Sequence, residues 1–131
     1  MLFLSEYKPK RIKKDNIQKS RIKIFNFSNS NLNFLLNKRF LWMKKYTLKK
    51  KLIIELGSGN GCIKKVLSKE KIILTDIFKY PWIKKKIDMR KMNLAKKYIN
   101  KIDVFIFNHS LHHCSNPAAT LKKISKFLKK G

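Results

Sequence analysis

The sequence has few acidic residues, glycines, prolines and cysteines, and it contains no long apolar run. No apolar stretch approaches the length of a membrane span, so we expect no membrane-spanning segment. The two cysteines, Cys62 and Cys114, match no spacing that is typical of a disulfide framework or a metal site. We therefore expect free thiols, a cytoplasmic location and no bound metal.

The shortage of acids gives the chain a strong positive charge. Against 33 lysines and arginines there are 7 acids, for a net charge of +26 over 131 residues. Such a charge predicts attraction to nucleic acid or to an anionic membrane surface. However, nearly all the basic residues are lysines spread over every segment, and arginine is the better residue for bidentate phosphate and base contacts. A general bias of the composition toward lysine is therefore the favoured explanation of the charge, and nucleic acid is not the favoured partner.

Most of the glycines are gathered in one turn near the middle of the chain. Leu52–Leu56 is a tight apolar run that contains one carboxylate, Glu55, and it predicts a buried strand. Gly57, Gly59 and Gly61 follow at every second position, and apolar residues at helical spacing come next. A strand, a turn with little side-chain bulk and a helix predict a pocket in which backbone N–H groups approach a ligand. A tight turn that binds nothing is the plainer alternative.

Acids end the next two predicted strands. Lys71–Asp76 is an apolar run that ends in a carboxylate. This residue, Asp76, follows Glu55 by 21 positions. In a βαβ unit an acid at about 20 residues accepts hydrogen bonds from ribose hydroxyls. Lys86–Met89 predicts a short third strand with Asp88 at its carboxyl end.

The rest of the chain alternates helices and strands. Leu94–Ile99 predicts a brief helix, Asp103–Phe107 a fourth buried strand, and Asn116 with Pro117 the start of a final helix. The resulting order, β-α-β-α-β-α-β-α, is typical of an α/β protein with a doubly wound parallel sheet.

The residues before this unit predict an N-terminal extension over residues 1–46. Within it, the apolar residues of Arg21–Phe27 alternate with other residues, and this pattern suggests a short edge strand. An amphipathic helix over Asn33–Tyr46 is expected, with the role of packing against the sheet or of covering the glycine turn. The helix prediction depends on four apolar residues at helical spacing: Leu32, Leu36, Phe40 and Met43.

The segment Glu55-Leu56-Gly57-Ser58-Gly59-Asn60-Gly61 resembles the E/D-x-G-x-G-x-G motif of class I S-adenosylmethionine-dependent methyltransferases. Nicotinamide-binding folds more often have G-x-G-x-x-G. The resemblance, which is to the type 11 group, runs from about Leu52 to Gly131. It implies a partial Rossmann-like domain over residues 47–131, the first half of the sheet in the strand order 3-2-1-4, after an N-terminal helical extension. It also implies S-adenosylmethionine as cofactor and methyl transfer to a small-molecule or sugar-type acceptor.

The resemblance implies a role for each matching residue. The turn would pass beside the methionine part and the ribose of the cofactor, with Glu55 supporting the turn or engaging the cofactor's ammonium group. Asp76 would accept from the ribose hydroxyls, Asp88 would lie near the adenine, and Asn108 would line the pocket beside the methyl group. The expected cofactor-binding residues are Glu55, Gly57, Ser58, Gly59, Asn60, Gly61, Asp76, Ile77, Asp88, Met89 and Asn108.

All three histidines, His109, His112 and His113, follow the fourth predicted strand. The carboxyl end of a strand is where α/β sheets bind ligands, so these residues are the candidates for a catalytic base. A base is needed only if the acceptor is a poor nucleophile, such as a hydroxyl. For each histidine taken alone, packing or capping of the next helix is the plainer interpretation.

The chain departs from the resemblance in length, since members of that family continue through three further strands. We therefore expect a fragment, a truncated product, or a half that a partner chain or a dimer completes by covering the edge of the fourth strand. Two alternative functions remain at this stage. The charge favours an RNA or protein methyltransferase, and the shortness favours a truncated, inactive basic protein that at most associates with polyanions.

Overall fold

A computed structural model of the chain describes residues 14–26, 29–92 and 94–131. Residues 1–13, Phe27 and Ser28 of the predicted N-terminal extension lie outside the described residues. Short 3-10 turns lie at Leu41–Met43, Lys96–Tyr98 and Leu111–His113. The described helices and strands are, in chain order, α1 (Lys14–Asn26), α2 (Ser30–Phe40), α3 (Lys44–Thr47), β1 (Ile53–Leu56), α4 (Ile63–Val66), β2 (Ile72–Asp76), β3 (Lys85–Lys86), β4 (Val104–Ile106) and α5 (Pro117–Ser125).

The four strands form one parallel sheet in the order β3-β2-β1-β4. Strand β1 is central, and its Glu55 stands opposite Leu74 on one side and Ile106 on the other. Both faces of the sheet carry an apolar core, because β1 and β2 are buried runs rather than alternating ones. The predicted α/β class and the strand order 3-2-1-4 are confirmed.

The predicted edge strand over Arg21–Phe27 is wrong, because residues 21–26 belong to α1. A helix places Arg21 and Phe25 one turn apart on the same face. On that face Arg21 donates to the Tyr80 hydroxyl at 3.0 Å, and the ring of Phe25 stacks on Trp82 with centroids 4.5 Å apart. These two contacts with the sheet domain stabilise the helix. The short alternation of apolar residues in this segment had suggested a strand instead.

Helix α2 begins three residues before the predicted start at Asn33. The side chain of Asn29 accepts from the backbone N–H of Leu32 at 2.7 Å and so caps the helix. The predicted continuous helix to Tyr46 is instead α2, a 3-10 turn and α3. Leu36 and Phe40 are buried in the same core as Ile53 of β1. The helix therefore packs against the sheet, which is one of the two roles expected for it.

The later strands follow the predicted order with shorter bounds, but the helix predicted between the second and third strands is wrong, because residues 77–84 form no helix and Pro81 disfavours one there. Strand β3 ends before Ile87, and the predicted helix over Leu94–Ile99 is only a 3-10 turn. Asn116 accepts from the Ala119 N–H at 2.9 Å and caps α5, as predicted. No helix among residues 14–26, 29–92 and 94–131 has the length and the apolar character needed to cross a membrane.

Candidate functional site

The glycine turn joins β1 to α4, and all three of its glycines have positive φ angles. At Gly57, with φ of +73°, an added Cβ atom would lie 2.6 Å from the Cβ atom of Ser110. At Gly61, with φ of +67°, an added Cβ atom would lie 2.6 Å from Cδ1 of Trp82. Side chains cannot be accommodated at these two positions without displacing neighbouring groups. The sequence pattern therefore reflects a turn in which the backbone approaches its neighbours closely.

Hydrogen bonds of Ser58 hold this turn against β2. Its backbone N–H donates to the Thr75 carbonyl at 2.8 Å, and its hydroxyl accepts from the Thr75 N–H at 3.1 Å. The Thr75 hydroxyl in turn donates to the Glu55 carbonyl at 2.7 Å. Because these groups are buried, their mutual hydrogen bonds hold the turn in one conformation.

Asp76 stands at the carboxyl end of β2, beside the glycine turn. One carboxylate oxygen accepts from the Gly59 N–H at 2.9 Å, and the other accepts from the Phe78 N–H at 3.1 Å. The guanidinium of Arg21, from α1, lies 3.6 Å from the oxygen that Gly59 also contacts. The carboxylate is thus oriented by backbone donors and faces the space above the turn.

Asp88 lies past the end of β3, on the same side of the sheet. Arg90 donates to both of its carboxylate oxygens, at 2.9 and 2.8 Å. These hydrogen bonds hold the pKa of Asp88 below its usual range. The acid is therefore a carboxylate at neutral pH. The adjoining Met89 is buried and adds an apolar surface.

The residues after β4 form the opposite wall. The side-chain oxygen of Asn108 accepts from Nε of Arg39 at 3.0 Å. His109 has a φ of +53°, which is uncommon for a residue other than glycine. Ser110 is buried and donates to the Leu56 carbonyl at 2.6 Å, beneath the turn. This bond holds the segment after β4 against the end of β1.

These elements enclose one cavity of about 460 Å³ at the carboxyl edge of the sheet. Most of the predicted site residues line it, and Glu55, Gly61 and His112 do not. Gly61 instead faces Trp82, and His112 is exposed beside His113, with ring centroids 4.1 Å apart. The predicted residues that the cavity brings together are Gly57, Ser58, Gly59, Asn60, Asp76, Ile77, Asp88, Met89, Asn108, His109 and His113.

Glu55 lies within the sheet and is only 1% exposed. Burial raises the pKa of its carboxyl group from 4.5 to about 7. Its Oε2 atom has no hydrogen-bond partner among the described residues. Glu55 is therefore a buried acid under the turn rather than a wall of the cavity.

Sequence reasoning missed several residues that line the cavity, because they come from the N-terminal helices or from loops with no motif. One signal could have found three of them, since arginine is rare in this chain and Arg21, Arg39 and Arg90 all line the cavity. Cys62 also lines it, and burial raises the pKa of its thiol, which disfavours a nucleophilic thiolate. The other missed residues are Leu36, Phe40, Phe78, Ile87 and Ser110.

The described part of the chain holds no group of three or more histidine, cysteine, aspartate or glutamate residues that could bind a metal ion. What the cavity offers is a close backbone approach at a glycine turn, with carboxylates after β2 and β3. In an open parallel sheet this edge is where nucleotides and related cofactors bind. The fold is thus that of a partial Rossmann-like α/β domain, with a cavity at the carboxyl edge of its sheet.

Comparison with known families makes this class more specific. Residues 54–131 match the family model described as a methyltransferase domain. The chain belongs to this family of class I S-adenosylmethionine-dependent methyltransferases. Searches among curated proteins and among solved structures gave no significant match.

Proposed function

We propose that this chain binds S-adenosylmethionine in the cavity at the carboxyl edge of its sheet and transfers the methyl group to a small-molecule or sugar-type acceptor. The observation that carries the proposal is the meeting of the glycine turn with Asp76, Asp88 and Asn108 around one space of about 460 Å³. Cavities of this size are typical of sites that take one small organic ligand.

The chemistry of the residues fits the cofactor. Gly57 leaves no room for a side chain and brings backbone to the cavity wall. Asp76 uses acceptor sites for two backbone N–H groups, and a carboxylate has about four such sites, so it can also accept from ribose hydroxyls. Asp88 suits an exocyclic amine, while Ile77 and Met89 supply apolar surface for a planar base.

S-adenosylmethionine, when bound, supplies a methyl group on a positively charged sulfonium that is already activated for displacement. The residues of this chain then have to bind, orient and exclude water. Leu36 and Phe40 of α2 add apolar surface to the cavity wall. Asn108, which accepts a hydrogen bond from Arg39 of the same helix, also lines the cavity. His109 and His113 line the same cavity, where an imidazole could take the proton of a hydroxyl acceptor.

Isothermal titration with S-adenosylmethionine tests the proposal. Asp76→Ala removes the carboxylate, and hydrogen bonds to a charged group are worth about 1.5–3 kcal/mol, so affinity should fall by about tenfold or more. Glu70→Ala is the matched control, because Glu70 precedes β2 and lies outside the cavity. Asp76→Asn, which keeps the shape of the side chain, separates loss of charge from collapse of the turn.

Circular dichroism of each variant shows whether the fold is kept. Failure of the wild-type protein to bind S-adenosylmethionine would contradict the proposal. If wild type and folded Asp76→Ala bound S-adenosylmethionine with equal affinity, Asp76 would have no role in binding the cofactor.

The net charge of +26 is the specific observation that favours a second function, methylation of RNA or of a protein. A real RNA partner would bind at physiological salt, and the logarithm of its affinity would fall linearly with the logarithm of salt concentration. Filter binding to RNA over a salt series measures this. Absence of binding at physiological salt would eliminate RNA as the acceptor.

A further inference from the structure

The most exposed large apolar side chains of the described residues lie in one stretch of the chain, from α2 to just past α3. Six side chains in this stretch are 51–62% exposed, and the next most exposed, Leu121 of α5, reaches 46%. A large apolar patch on a protein surface marks an interaction site more often than a single exposed side chain does. The six residues are Phe34, Leu35, Leu41, Trp42, Tyr46 and Leu48.

Helical spacing gathers these side chains on one side of the α2–α3 segment. Leu35, Trp42 and Tyr46 are seven and four positions apart, and Phe34 and Leu41 are seven apart. The rings of Trp42 and Tyr46 meet edge to face, with centroids 6.1 Å apart. None of the six residues lines the cavity of the candidate site. The stretch therefore presents a second surface, separate from that cavity.

Lysines are interspersed with these apolar side chains, and acids are not. Positions 16–54 contain no aspartate or glutamate. Nζ of Lys38 lies 5.5 Å from the ring centroid of Phe34, and Nζ of Lys45 lies 4.8 Å from that of Tyr46. The exposed lysines of the stretch are Lys38, Lys44, Lys45, Lys49, Lys50 and Lys51. Together with the six apolar side chains they form what we call the lysine–apolar face.

The charge of this face is not balanced by the rest of the described chain. None of the ion pairs found among residues 14–26, 29–92 and 94–131 includes a lysine of the face. The acid beside its end, Asp103, accepts from the backbone N–H of Lys51 at 3.1 Å and from Nζ of Lys129 at 2.7 Å. Asp103 is thus already paired with a lysine outside the face. The face therefore complements a partner that is both negatively charged and apolar.

An anionic lipid surface has this chemistry. Tryptophan and tyrosine rings lie at the level of the headgroups, leucine and phenylalanine side chains enter the acyl boundary, and lysine ammonium groups reach anionic headgroups. A nucleic acid fits less well, because phosphates and bases are better contacted by arginine and have no use for three exposed leucines. A second copy of the chain would bring the same positive charges together.

We propose that the lysine–apolar face binds the surface of an anionic membrane, with the α2–α3 segment lying in the plane of the interface. The lysines supply the attraction to the headgroups, and the apolar side chains enter the boundary with the acyl chains. The inference does not depend on the proposed function, because no residue of the face lines the cavity.

Sedimentation of the full chain with lipid vesicles tests the proposal. One set of vesicles holds equal parts of phosphatidylglycerol and phosphatidylcholine, and the other holds phosphatidylcholine alone. Wild type should bind the anionic vesicles and not the neutral ones. Leu35→Gln removes one buried apolar side chain from the complex, so binding should weaken about tenfold. Leu121→Gln is the matched control, because it changes an exposed leucine of α5 in the same way.

The charge of the face is tested by a second matched pair. Lys38→Gln should weaken binding about fivefold, since a lysine near an anionic surface contributes about that factor. Lys122→Gln removes the same charge from an exposed position of α5 and should have a smaller effect. Circular dichroism of each variant shows that the fold is kept.

The fluorescence of Trp42 separates insertion from surface attraction. Its emission should move to shorter wavelength with the anionic vesicles, because the indole leaves water for the interface. Trp42→Phe keeps an aromatic ring in the face, so it should still bind the vesicles and should lose the shift.

Three results would overturn the proposal. Equal vesicle binding by Leu35→Gln and Leu121→Gln would show attraction by net charge alone. Absence of vesicle binding, together with RNA binding that Leu35→Gln weakens, would assign the face to nucleic acid. Absence of vesicle binding, together with a wild-type dimer that Leu35→Gln dissociates in sedimentation velocity, would assign it to a second copy. Failure of S-adenosylmethionine to bind is a different result and leaves all three measurements decisive.

Discussion

Glu55 makes the stability of this protein depend on pH in an unusual direction. Its carboxyl group is 1% exposed, and its pKa rises from 4.5 to about 7 in the folded chain because burial disfavours the charged form. Between these two pH values the native state holds a proton that the unfolded chain has lost. The free energy of unfolding should therefore fall as the pH rises through this window.

The size of the effect follows from the shift in pKa. Each unit corresponds to about 1.4 kcal/mol, so a rise from 4.5 to about 7 predicts a loss of about 3 kcal/mol. The stabilising contribution of the protonated form is complete below pH 4.5 and is lost above about pH 7. A small domain is stabilised by only about 5–15 kcal/mol, so this loss is easily measured.

Glu55→Gln tests this prediction, because the amide keeps the volume of the side chain and does not titrate. Urea unfolding followed by circular dichroism gives the free energy of unfolding at each pH. Relative to wild type, the variant should gain about 3 kcal/mol as the pH rises from 4.5 to about 8. Glu70→Gln, which changes a partly exposed acid in the same way, is the control. A difference between Glu55→Gln and wild type that stays constant with pH would refute the reasoning.

Two further substitutions have consequences that the structure defines. Gly57→Ala places a Cβ atom 2.6 Å from that of Ser110 at a φ of +73°, so we expect the free energy of unfolding to fall by about 2 kcal/mol or more, measured by urea unfolding. Asn116→Ala removes the cap of α5 and should cost about 1 kcal/mol in the same measurement.

Each of these substitutions has a control elsewhere in the chain. Gly131→Ala adds a Cβ atom that meets nothing within 4 Å, so it should leave the free energy of unfolding unchanged. Asn31→Ala changes an exposed asparagine inside α2, where alanine favours the helix. If Gly57→Ala were as stable as Gly131→Ala, the conclusion that position 57 has no room for a Cβ atom beside Ser110 would be wrong. If Asn116→Ala matched Asn31→Ala, the cap would contribute nothing.

The sheet could be predicted from the sequence because its information is local. Three of the strands, β1, β2 and β4, are short apolar runs, which the sequence identifies without knowledge of their neighbours. Strand β4 was expected to be buried, but it lies at the edge of the sheet and two of its three residues are only half-buried. The glycine turn and the cap at Asn116 are likewise marked by residues whose backbone preferences are specific.

Covering of the glycine turn was one of two roles expected for the helix over Asn33–Tyr46, but the polar contacts of the N-terminal helices at the cavity could not be predicted, because they join residues that are distant in the chain. Arg21 meets Tyr80 across 59 positions, and Arg39 meets Asn108 across 69 positions. The basic segment that contains Arg21 shows no long periodic pattern, and tertiary contacts stabilise α1 instead. Hydrophobic periodicity alone cannot indicate such long-range polar contacts.

The indole of Trp82 lies where a spectroscopic signal would follow the glycine turn. Its Nε1 donates to the Gly59 carbonyl at 3.0 Å, and its ring stacks on both Phe25 and Tyr80. The chain has one other tryptophan, Trp42, which is 57% exposed and far simpler to replace. A Trp42→Phe protein would therefore carry a single tryptophan, whose emission reports when a ligand rearranges the turn or lifts α1, without any attached dye.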